Sequence, residues 1–110
     1  MATEERLPGT THLVAYRGDD WSQTFVFKRA DVPIDAQAST VASSAVDNAG
    51  VTHDLQVTTG PNGEVTIAMP VDGLPTGSYW YDVEVTEANG LVTTWVRGKL
   101  TVEQDVTHGN

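Results

Sequence analysis

Cysteine is missing from all 110 residues, which removes disulfide cross-links, thiolate nucleophiles and zinc–thiolate centres together. Any fold must therefore be held by its apolar core. Positive charge is scarce as well: six Lys and Arg stand against fifteen Asp and Glu, a formal net charge of −9. Such a field repels phosphate backbones and anionic lipid, so neither nucleic acid nor a membrane is expected as a partner, and the acid excess reads first as a solubilising surface. No stretch approaches the length of apolar sequence that crosses a bilayer as a helix, and Met1 to Arg6 has no apolar signal-peptide core, so no Sec-type signal is expected. Histidine is limited to His12, His53 and His108, none at ligand spacing; His53 and Asp54 are neighbours on an expected strand and point to opposite faces.

What is present favours strands and tight turns: ten glycines, few aromatics, and Val and Thr throughout. The clearest stretch is Tyr79 to Thr86, where Tyr79, Tyr81, Val83 and Val85 alternate with Trp80, Asp82, Glu84 and Thr86. A period of two marks a half-buried strand, and Ala88-Asn89-Gly90 supplies a hairpin turn into a second β-rich run, Leu91 to Val102. Gly77 and Gly90 are expected at positive φ.

Upstream, residues 11–17 read as the first strand and Trp21 to Arg29 as the second, with Phe25 and Phe27 in the core. Ala30 to Asp35 reads as a loop in which Pro33 ends any ladder and Ile34 plugs one end of the fold. Ala36 to Val46 suits a small-residue helix or a weak strand; its Ser and Thr, which compete with helical backbone bonding, and the Asp47-Asn48-Ala49-Gly50 turn decide for a strand hairpinned to Val51 to Thr58. Gly60-Pro61-Asn62-Gly63 is the strongest turn signal, and Glu64 to Met69 behind it alternates again. Residues 70–77 form a looped crossover anchored by Leu74. The expected fold is all-β, an immunoglobulin-like antiparallel β-sandwich of about seven strands, with a small barrel as the alternative. Residues 1–10 read as an N-terminal arm, mobile on its own or ordered by docking on a neighbouring subunit, residues 11–103 as the sandwich, and residues 104–110 as a tail.

Chemistry is sparse. The carboxylates fall mainly in turns, where Asp bonds the local backbone, and nothing singles out an acid–base pair; EF-hand spacing is missing, and Asp19 and Asp20, which could share a calcium ion with loop carbonyls, read first as turn formers. Arg17-Gly18-Asp19 spells an adhesion tripeptide, yet strand-end Arg, turn Gly and turn Asp generate it without function. Nucleophile elbows and phosphate-cradling loops are missing too. The chain is expected to be no enzyme, with no cofactor, no metal and no catalytic residue. Trp80 and Trp95 stand out because each interrupts a face that parity makes polar. Each is either an exposed aromatic anchor for a partner subunit or a sugar, or a residue packed under a loop or turned into the core by a local bulge.

Tyr16-Arg-Gly-Asp-Asp-Trp-Ser-Gln-Thr-Phe25, Gly77-Ser-Tyr-Trp-Tyr-Asp-Val-Glu-Val85, Asn89-Gly90, Arg97-Gly-Lys-Leu-Thr-Val102 and Asp105-Val-Thr107 together resemble small immunoglobulin-like β-sandwich proteins of tailed-bacteriophage virions. The resemblance spans nearly the whole chain as order and pattern rather than as one diagnostic motif. It implies a non-enzymatic virion component made in the host bacterial cytoplasm, a tail-tip, collar or baseplate accessory protein, with capsid decoration as the alternative. It also implies a homo-oligomer bound to other virion structural proteins, with contacts at Trp80, Trp95 and the two termini, here Leu7 and Val106. A stand-alone carbohydrate-binding or adhesion module is the competing class.

Overall fold

Among the described residues, the short, alternating segments resolve into eleven strand segments in two sheets. In the computed structural model, which describes residues 2–5, 9–16 and 21–104, these are β1 (Ala2–Glu5), β2 (Gly9–Thr10), β3 (Leu13–Tyr16), β4 (Ser22–Arg29), β5 (Val32–Pro33), β6 (Thr40–Val46), β7 (Thr52–Asp54), β8 (Gln56–Thr59), β9 (Glu64–Ala68), β10 (Gly77–Thr86) and β11 (Val92–Glu103). The first sheet runs β1-β4-β9-β8, with β5 added to β4. The second runs β2-β11-β10-β6-β7, with β3 also on β11. The fold is an immunoglobulin-like β-sandwich; the pairings are antiparallel except where β1 meets β4 and where β2 and β3 meet β11.

Parity fills the space between the sheets. Phe25 and Phe27 of β4 and Val65 and Ile67 of β9 meet Tyr79, Tyr81, Val83 and Val85 of β10 and Val96, Leu100 and Val102 of β11, all buried. Burying one such side chain stabilises by roughly 1.5 to 3 kcal/mol, so this inner face supplies the main driving force. Ile34 and Leu74 are buried as end plugs. At the crossover into β10 the Tyr79 hydroxyl donates to the Pro75 carbonyl at 2.5 Å, a tyrosine corner that ties the loop to the strand it feeds.

Four local expectations change. Residues 51–58 are not one strand: Leu55 is buried, its amide bonds the Ser43 carbonyl at 2.9 Å, and the chain crosses there from β7 in the second sheet to β8 in the first. Ala36 to Ala38 form a 3-10 turn capped by Asp35, and only Thr40–Val46 is strand. Pro33 does not prevent pairing, because β5 needs only two residues and Ile34 donates to the Phe27 carbonyl at 3.0 Å. Within the arm of residues 1–10, Ala2–Glu5 and Gly9–Thr10 pair with β4 and β11, so strand pairing begins before residue 11. Gly77 (φ 150) and Gly90 (φ 89) lie at positive φ as expected.

Candidate interaction surface

Alternation along β10 leaves one residue type that solvent exposure does not favour. Trp80 points away from the core and is 60% exposed on the outer face of the second sheet. Across the strands it lies opposite Lys99 of β11 and Val46 of β6. The next outward row holds Asp82, flanked by Arg97 and Ser44. Ser44, Val46, Trp80, Asp82 and Arg97, with Tyr81, line an open depression of about 310 Å³.

The electrostatics of this patch run against the molecule as a whole. Lys28, Arg29, Arg97 and Lys99 are the basic residues among those described, and two of them stand beside Trp80 on a chain of net charge −9. Arg29 is committed to Glu87 through two hydrogen bonds of 3.2 and 2.9 Å. Arg97, Lys99 and Asp82 take part in no ion pair among the described residues, whose salt bridges are Arg29–Glu87 and His53–Asp47. An aromatic ring with uncommitted cations and a carboxylate matches the chemistry of protein-interface anchors, where Trp and Arg are enriched.

Trp95 does not belong to this surface. Val83 pairs with Val96 but Glu84 with Thr94, which leaves Trp95 as the extra residue of a β-bulge. The bulge turns Trp95 inward to full burial, 5.1 Å from the Phe27 ring in a stacked pair, with the Arg29 guanidinium 5.3 Å from its own ring. The expected partner role of Trp95 is therefore corrected: no part of it reaches solvent. The same extra residue reverses parity beyond it, sending Val96, Gly98, Leu100 and Val102 inward and Arg97 and Lys99 outward. Leu7 and Val106, proposed with the Trp residues, lie outside the described residues, as does the Arg17-Gly18-Asp19 tripeptide.

Val46, Asp82, Arg97 and Lys99 were not singled out from sequence. Counting back from the Asn89-Gly90 turn without a bulge puts Gly98 opposite Trp80; only the inserted residue brings Lys99 there. His12 and His53 serve structure, and His108 lies outside the described residues. His12 Nδ1 accepts the Lys99 amide at 3.0 Å, and half-buried His53 packs edge-on against Tyr79 while its Nε2 lies 3.1 Å from Asp47 Oδ2. Asp47 Oδ1 also accepts the Ala49 and Val51 amides at 2.9 and 3.0 Å. The Val51 bond, followed by His53, holds the Asp47 carboxyl below the usual aspartate range. Among the described residues no three of His, Cys, Asp or Glu gather where they could hold a metal ion.

No family model and no curated protein matches the chain. Among solved structures, the N-terminal domain of phage TP901-1 ORF48 superposes with a TM-score of 0.58 at 10% identity, covering 94% of this chain and 99% of that one. CopC from Methylosinus trichosporium OB3b matches with a TM-score of 0.52 at 19% identity over 89% of this chain and 88% of its own. The SrpA adhesin R347E mutant from Streptococcus sanguinis gives 0.54 at 14% identity, over 89% of this chain and 57% of its own. At these identities the likeness is one of fold, and the fold it establishes is the β-sandwich.

Proposed function

We propose that this chain is a non-enzymatic structural component of a tailed-bacteriophage particle, an accessory protein of the tail that binds neighbouring subunits through the outer face around Trp80. The observation that carries the reading is the match to the phage TP901-1 ORF48 N-terminal domain, which spans nearly the full length of both chains. It agrees with the resemblance of the sequence to β-sandwich proteins of tailed-bacteriophage virions. The exposed Trp80 beside Arg97 and Lys99 supplies a contact surface. Trp80→Ala should lower incorporation into particles while leaving the melting temperature near that of the wild type, since the ring is mostly solvated. Normal incorporation of a stably folded Trp80→Ala protein would remove Trp80 from the contact. Density for a tagged copy on the head rather than the tail would make capsid decoration the correct assignment.

A second reading has one observation behind it. Trp80 stands over a depression that also carries the Ser44 hydroxyl, the Asp82 carboxylate and the Arg97 guanidinium, groups that can stack on and hydrogen-bond a sugar ring. Specific glycan-array hits abolished by Trp80→Ala would favour a saccharide-binding module over the structural role.

A further inference from the structure

We propose that the outer face of the second sheet seats a second copy of this chain, across a two-fold axis running along the strands between β10 and β11. The proposal deepens the reading of the Trp80 face as a contact surface, names its occupant, and does not depend on the partner being inside a particle.

The register carries it. On this face β10 presents Trp80, Asp82 and Glu84, while β11 presents Lys99, Arg97 and Thr94 directly opposite them. One column is aromatic and acidic, and its neighbour is mainly basic. A two-fold axis between the columns lays each column of one copy over the other column of its mate, in the same row. Arg97 then stands over Asp82 of the second copy and Lys99 over the face of its Trp80, and both contacts occur twice. The depression bordered by Trp80, Val46, Ser44 and Asp82 is where the incoming Arg97 side chain would rest. Val46, half-buried beside Trp80, adds apolar area at the edge of the contact.

Two opposing considerations fix what kind of contact this is. Each copy carries net charge −9, so the molecules repel at long range; at physiological ionic strength that repulsion is screened within about 8 Å. Close contact is therefore governed by the local columns, which are complementary. An isologous contact of this kind also closes on itself, because the same patch is consumed on both copies, so growth stops at the dimer.

Charge reversal tests the arrangement. Sedimentation of the purified protein in about 0.15 M salt, from about 1 µM to 1 mM, should show a concentration-dependent monomer–dimer equilibrium. Arg97→Asp and Asp82→Arg should each weaken self-association at least ten-fold, with folding monitored by melting temperature. Mixing the two variants should restore dimers, since opposite charges then meet at both contacts. Trp80→Ala, which changes no charge, should weaken the dimer as well. A wild-type protein that stays monomeric throughout overturns the proposal, as do folded reversal variants that self-associate like the wild type or a mixture that remains monomeric. A monomeric wild type whose Trp80→Ala variant is still excluded from particles would sink the second copy and leave the contact reading standing. An intact dimer with normal incorporation of the variant would do the reverse.

Discussion

At Trp95 one side chain combines stacking on Phe27, contact with the Arg29 guanidinium and an indole N–H that is buried without a hydrogen-bond acceptor among the described residues. The first two stabilise and the third opposes them, since an unpaired buried donor costs about 1 to 3 kcal/mol. Trp95→Ala should destabilise by about 3 to 5 kcal/mol through the cavity it leaves. Trp95→Phe should lose much less, because it keeps most of the packing and removes the orphaned donor; urea midpoints of the two variants measure the difference. Equal losses would mean that the ring's full volume, not its N–H, dominates. Tyr79→Phe removes the hydroxyl donated to Pro75 and should cost about 1 kcal/mol, visible as a lower midpoint with an unchanged circular dichroism spectrum.

At the scale of elements, the β4–β5 hairpin turns on Ala30 and Asp31, both at positive φ (55 and 67). Two central residues in that region are what a two-residue hairpin of the primed type requires, and alanine is poorly suited to it. Replacing the pair by Ala30→Asn with Asp31→Gly should raise stability by about 1 kcal/mol, read as a higher thermal midpoint. The turn into β7 is held differently, by the Asp47 carboxylate and its bonds from Val51, Ala49 and His53. Its folded-state pKa is depressed, so its contribution is fully present above the unfolded aspartate value and disappears as pH falls through the lower folded value. Asp47→Asn should therefore be less stable than the wild type at neutral pH, and the gap should narrow as the pH falls below the unfolded aspartate value and through the lower folded one. A gap that stayed constant across the titration would assign the effect to geometry rather than charge.

For the whole molecule, the N-terminal strands bind the two sheets at their edges: β1 lies on β4, while β2 and β3 lie on β11. Gly98 permits this closeness, since a Cβ there would collide with the Thr11 carbonyl oxygen, the same oxygen that accepts the Tyr81 hydroxyl at 2.6 Å. Gly98→Ala should push residues 9–16 off β11, speeding their amide exchange while β4, β9 and β10 stay protected, at a cost of about 1 to 3 kcal/mol. The local balance of charge at the Trp80 face also belongs to this scale: on a chain of net charge −9, Lys99 and Arg97 stand beside Trp80 and offset Asp82 and Glu84.

The residue order by itself determined the β class, the buried face Tyr79-Tyr81-Val83-Val85, the Phe25 and Phe27 core and the turns at residues 60–63 and 88–90, because a period of two and turn-forming residues are local properties of the chain. It could not separate Trp80 from Trp95, since the bulge that buries one exists only in the pairing of β10 with β11. Nor could it show that Leu55 carries the chain between sheets, because the short run around it alternates well enough to pass for one continuous strand. Register, bulge and crossover are set by contacts between segments distant in sequence, and through them the tertiary structure alone decided which tryptophan faces solvent and which charges surround it.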